Sequence, residues 1–147
     1  MKWPSRRVVL LAAALLAIIA IGMAAMHLVA RPPDDLDLAR SKSSANGIYA
    51  VSIEPEAEPV EQGKLHSWLV SVTMADGSPA TDAIVSIDGG MPEHGHGLPT
   101  APQVTGPLPD GRYRIEGVRF NMGGWWELRF SILSPAGDDE VVFNIVL

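Results

Sequence analysis

Apolar and polar positions divide the chain into three parts with different periods. Residues 8–30 form an apolar run of 23 positions without Asp, Glu, Lys or Arg. At about 1.5 Å of rise per residue, such a helix reaches roughly 34 Å, enough to cross a hydrocarbon core of ~30 Å with some tilt. Residues 31–46 have no apolar period. They contain Pro32-Pro33, three aspartates and the serines Ser41, Ser43 and Ser44, the composition of a flexible, solvated tether. From residue 47 to 147 apolar and polar positions alternate with period two, as half-buried strands require.

The alternation recurs in short blocks. Tyr49, Val51 and Ile53 share one face, and so do Trp68, Val70, Val72 and Met74, followed by the turn signal Asp76-Gly77-Ser78-Pro79. Ala83, Val85 and Ile87 alternate with Ile84, Ser86 and Asp88. Tyr113 and Ile115 follow the turn signal Asp110-Gly111. Trp126, Leu128, Phe130 and Ile132 alternate with Trp125, Glu127, Arg129 and Ser131, and Val141, Phe143, Ile145 and Leu147 close the chain. Six or seven short strands between turns, with no helical period, predict an all-β domain, an immunoglobulin-like β-sandwich behind one N-terminal transmembrane helix.

Flanking charge orients the helix. Lys2, Arg6 and Arg7 precede it, which favours a cytoplasmic N-terminus and a domain on the periplasmic, extracytoplasmic side of the inner membrane. The run exceeds a signal peptide's h-region, and Leu28-Val29-Ala30 is a poor cleavage site, so an uncleaved signal-anchor is expected. His27 lies near the outer end of the run, within reach of the interface, and reads as structural.

Composition narrows the chemistry. There is no cysteine, which excludes disulfides and zinc–thiolate sites. From Ala45 onward fourteen Asp/Glu stand against five Lys/Arg, a net of −9 with histidine neutral. Such a surface argues against nucleic acid or anionic lipid as partner.

One stretch departs from the alternation. Between residues 88 and 111 the chain shows no strand pattern and reads as one long loop, with prolines at 92, 99, 102, 107 and 109 and several glycines. Prolines lower the entropy of the unfolded loop, and glycines permit tight backbone geometry. A long loop in a compact domain is usually functional or disordered. This one holds His94-Gly95-His96, two of the chain's four histidines. In an extended segment residues i and i+2 point the same way, so both imidazoles can meet one ion. Met91 lies three residues before His94, Met122 sits in the Gly-rich Asn121-Met122-Gly123-Gly124, and His66 falls on the Trp68 face. Imidazole with thioether, without dominant carboxylate or thiolate, suits copper, Cu(I) in particular. The candidate metal ligands are therefore His94 and His96, with Met91 as the soft partner and Met122 and His66 as further candidates. Against this, His-x-His alone is a weak signal, methionine also fills core gaps, and a lone histidine is more often simply hydrogen-bonded. Trp126 falls on the core face, while Trp125 is either a surface aromatic under the loop or a wall of the site.

The stretch from Gly89 through Met91-Pro92-Glu93-His94-Gly95-His96-Gly97 to Thr100, together with Phe120-Asn121-Met122-Gly123-Gly124-Trp125-Trp126 and Leu65-His66-Ser67-Trp68, resembles the YtkA-like domain, a group more loosely related to FixH. The resemblance runs from about residue 47 to 147. It implies an immunoglobulin-like sandwich on an exported, often membrane-tethered protein, in a family associated with copper handling or cytochrome oxidase assembly.

Two functions of different class fit. One is a tethered copper-binding module that carries the ion or delivers it to a copper-accepting protein. The other is a non-metal interaction module, whose loop and Trp125 dock on a membrane complex during its assembly. An enzyme is not expected. There is no cysteine nucleophile and no serine in a strained elbow, and Glu93-His94-Gly95-His96 does not sit on a helix as a His-Glu-x-x-His site would.

Overall fold

A computed structural model describes residues 6–29 and 32–147. Lys2 and residues 30 and 31, which enter the orientation, cleavage and tether readings, lie outside the described residues, as does the side chain of His27. Helix α1 spans Arg6–Val29, 24 residues. Its window Arg6–Met23 has a mean hydropathy of 2.1, apolar enough to cross a membrane once. Within that window its large side chains, such as Leu11 and Ile21, are exposed, which is stable for such residues only in an apolar surrounding.

Asp34–Leu147 forms a second compact unit built of two antiparallel sheets. The strands are β1 (Ser41–Ser43), β2 (Tyr49–Pro55), β3 (Leu65–Met74), β4 (Ile84–Met91), β5 (His96–Gly97), β6 (Gln103–Leu108), β7 (Arg112–Arg119), β8 (Trp125–Leu133) and β9 (Asp139–Val146). One sheet has the order β1-β2-β3-β7-β6, the other β5-β4-β8-β9. The fold is thus the expected all-β sandwich. Its core lies between the sheets, where Trp68, Val70 and Tyr113 from the first face Leu128, Phe130 and Phe143 from the second. The alternation anticipated this, since each inward set occupies every second position of its strand.

Two regions differ from the expectations. The segment read as a tether supplies β1, which pairs with β2 through Ser41↔Ser52 and Ser43↔Ala50. A strand of three polar residues on a sheet edge buries little, so it leaves no apolar period to read. The stretch read as a strand-free loop contains the end of β4 and all of β5 and β6. Strand β6 carries Gly106 and Pro107 at a register shift against β7, and residues of this kind mask strand periodicity while fitting an edge.

One end of the sandwich is closed by a buried carboxylate. Asp139 accepts hydrogen bonds from Ser44 Oγ (2.6 Å), Asn46 N (3.0 Å), Asn46 Nδ2 (3.0 Å), Ile48 N (3.3 Å) and Glu140 N (2.9 Å). Burial pushes its pKa up, but the bonds from Ser44, Asn46, Glu140 and Ile48 outweigh it and hold the pKa down at about 2. Beside it the Tyr49 hydroxyl donates to the Gly137 carbonyl (2.5 Å) and lies 2.7 Å from Ser134 Oγ.

Candidate metal site at the hairpin end

The other end is built by three segments: the β4–β5 hairpin, the turn between β7 and β8, and the residues leading into β3. In the hairpin Met91 pairs with His96 and Gly90 with Gly97. Pro92-Glu93-His94-Gly95 makes the connection. The amides of His94 and Gly95 both donate to the Met91 carbonyl (3.1 and 2.9 Å), and Gly95 takes a φ of +63° that glycine tolerates without strain. A side chain at Gly90 would run into the carbonyl oxygen of His96, so only glycine lets the strands close here.

The hairpin brings the two histidines together. Their ring centres lie 5.8 Å apart, both on exposed residues. Two imidazoles bound to one ion through bonds of about 2 Å hold their ring centres roughly 5–6 Å apart. His96 Nδ1 is 3.1 Å from the Gly97 carbonyl oxygen. A carbonyl only accepts, so this nitrogen carries the proton and leaves the Nε2 lone pair for a ligand. Histidines that bind metals are commonly oriented in this way.

The two methionines are placed differently. Met91 is 1 % exposed and belongs to the core, whereas Met122 is 37 % exposed in the β7–β8 turn. The turn and the hairpin nevertheless touch. A Cβ added at Gly124 would sit 3.2 Å from Met91 Cε, and the φ of +114° there again suits glycine. The turn is tied to the chain end by reciprocal bonds between Gly124 and Leu147 (3.0 and 3.2 Å). Trp126 joins it from below: its ring is 5.8 Å from that of His96, near edge-on, and its Nε1–H donates to the Met122 carbonyl (3.1 Å).

His66 is set apart. Its Nε2 lies 2.9 Å from the Glu61 carbonyl and 3.2 Å from the Glu61 amide, so either tautomer is satisfied by one backbone residue. Its ring packs at 6.4 Å from Phe120, which in turn stacks edge-on at 5.4 Å on Trp126. Among the described residues no three His, Cys, Asp or Glu side chains gather into one metal-binding group, so the hairpin pair is not joined by His66 or Glu93. Trp125 is half-buried, and its Nε1–H donates to Asn144 Oδ1 (2.9 Å) on β9. Beside the hairpin runs a groove of about 360 Å³ between Gly95 and His96 on one side and Asp88, Glu127 and Arg129 on the other. Arg129 bonds Glu127 (3.0 Å) and lies 3.7 Å from Asp88, so one cation faces two carboxylates and the groove wall keeps a net negative charge.

Trp126 is the member of this end that alternation assigned only to the core. Parity correctly buries it, but its place under His96 depends on the register of β4 with β8, in which Gly90 opposes Glu127.

A family model described as YtkA-like matches residues 43–131, which covers β2 to β7, most of β8 and every candidate ligand. No curated protein and no solved structure matches the chain significantly.

Proposed function

The chain belongs to the YtkA-like family, and from that premise we propose that it is a membrane-tethered, periplasmic copper-binding module that carries the ion or hands it to a partner at the membrane. The observation that carries this reading is the hairpin pair, two exposed imidazoles 5.8 Å apart, one with its Nδ1 proton engaged by Gly97. Both are on a turn whose backbone is closed by glycine, so they are held without burial, as an ion that must leave again requires. The burial of Met91 favours Met122 as the thioether that completes the site, with Met91 packed beneath the turn. Thioether and imidazole together prefer copper to harder ions. The acidic surface of the domain raises the local concentration of any cation.

The test is a competition titration of the full-length protein in detergent with Cu(I) under reducing conditions and Cu(II) under oxidising ones. One ion per chain is expected in each case. Affinity should fall with pH, because the proton and the metal compete for the same imidazole nitrogen. Absence of copper binding would overturn the reading.

A second reading is favoured by the groove beside the hairpin: a docking module for a membrane complex, in which the histidines only shape the loop. On that reading the loss of both imidazoles leaves copper uptake unchanged while association with the complex is lost.

A further inference from the structure

Trp126 touches both halves of the candidate site and is itself fully buried. Its ring lies against His96 of the hairpin, and its Nε1–H holds the Met122 carbonyl of the β7–β8 turn. Phe120, at the start of that turn, stacks edge-on against the same indole. Met122 lies in a turn rich in glycine, next to Gly123 and Gly124, whose backbone would otherwise sample many conformations. The turn is also tied by the Gly124–Leu147 pair, by the Gly63 amide donating to the Phe120 carbonyl (2.6 Å) and by Gln62 Nε2 donating to the Asn121 carbonyl (3.1 Å), but this indole N–H is the bond that holds the Met122 carbonyl itself.

We infer that Trp126 is a positioning residue, which sets the Met122 thioether relative to His96 and thereby the preference of the site for Cu(I) over Cu(II). This rests on the copper reading above. The physical reason is the division of labour between ligands. Cu(II) is held well by imidazole, whereas the soft thioether matters most to Cu(I). A group that acts by fixing the methionine therefore changes the Cu(I) affinity and leaves the Cu(II) affinity to the histidines.

The experiment is a double-mutant cycle on the full-length protein in detergent, with Trp126→Phe, Met122→Leu and the two combined, each titrated with Cu(I) and Cu(II) against competing chelators. Phenylalanine keeps an aromatic ring under His96 and removes the N–H. Loss of a group that orients a ligand typically weakens metal binding by about 10–100-fold. Trp126→Phe is expected to lower Cu(I) affinity within that range and to leave Cu(II) affinity unchanged. In the Met122→Leu background it should lower Cu(I) affinity no further, since the residues act as one unit. An equal loss for both oxidation states, an equal loss in both backgrounds, or no loss overturns the positioning role while copper binding by the histidines stands. Failure of the wild-type protein to bind copper overturns the copper reading itself. Because removing part of a buried indole can unfold the domain, a second measurement uses the intact protein. The Trp126 indole N–H resonance should shift on Cu(I) loading of the wild type, and shift markedly less on Cu(I) loading of Met122→Leu, where only the metal on His96 reaches the indole. A resonance unmoved in the wild type, or moved equally in both, overturns the inference.

Discussion

The two ends of the sandwich treat their polar groups in opposite ways. At one end Asp139 takes five hydrogen bonds, and the Tyr49 hydroxyl reaches both Ser134 and Gly137. Every partner there is supplied by the fold. At the other end His94 and His96 stand exposed on a glycine-closed hairpin, and only His96 Nδ1 has a backbone partner. The first arrangement leaves nothing for a ligand. The second leaves the other ring nitrogens without fold-supplied partners on exposed side chains. Polar groups satisfied inside a fold sustain the fold, and groups held rigidly but left open are available for binding.

This contrast can be broken most severely at the hairpin. His94→Ala with His96→Ala is predicted to weaken copper binding by more than about 100-fold, since it removes directly bonded ligands rather than groups that orient them. The melting temperature should barely move, because surface substitutions usually stay within about 0.5 kcal/mol. A titration and a thermal melt on the same sample read both quantities. Wild-type affinity in the double variant would place the site elsewhere.

The opposite pattern is predicted for Tyr49→Phe. It removes a hydroxyl that serves Ser134 and Gly137 and leaves the Gly137 carbonyl without its donor in a partly buried setting, while Ser134 Oγ keeps the Ala136 amide (3.1 Å). The expected loss is about 1–3 kcal/mol of stability, seen as a drop of several degrees in Tm with copper affinity intact.

Acid should act on the same end. The Asp139 pKa is held at about 2, below the ordinary carboxyl value of about 3.9, so its contribution to stability is complete above pH ~4. That contribution is lost as pH falls toward 2. Asp139→Asn should therefore be less stable at neutral pH and lose less of its remaining stability between pH 4 and 2 than the wild type. Urea unfolding at a series of pH values measures this. Parallel pH curves for the two proteins would show that Asp139 does not anchor the junction.

The smallest effect is predicted for metal removal. The core of Trp68, Tyr113, Phe130, Phe143 and their neighbours is built of apolar and aromatic side chains, and a domain of about a hundred residues buries enough apolar surface to fold unaided. Chelator should leave the β-sheet circular dichroism unchanged. Collapse to a coil spectrum would make the metal structural and remove the distinction between the two ends.

Much of this molecule was legible in its chain. Alternation named the inward faces of β2, β3, β7, β8 and β9, since burial between two sheets imposes period two on any strand that crosses the core. His94-Gly95-His96 was legible as a pair from its spacing, but the two rings meet around the turn at Gly95 rather than along the extended chain that the spacing implies. Strands β1, β5 and β6 were not, because edge pieces made of serine, glycine and proline form by backbone pairing and bury few side chains. The role of Asp139 was equally hidden, since its partners Ser44 and Asn46 lie more than ninety residues away and carry no local pattern.

Local order in the chain is enough to specify a membrane-length apolar helix, a period-two domain and a histidine pair, because each depends only on neighbours within a few residues. Which methionine stays accessible is a long-range matter. Met91 is buried because the Gly124 turn closes over it, and Met122 is exposed because that same turn carries it outward. The placing of Trp126 beneath His96 likewise arises only when β4 and β8 pair in one register. Residues thirty positions apart meet there through sheet packing, and no spacing along the chain encodes that meeting.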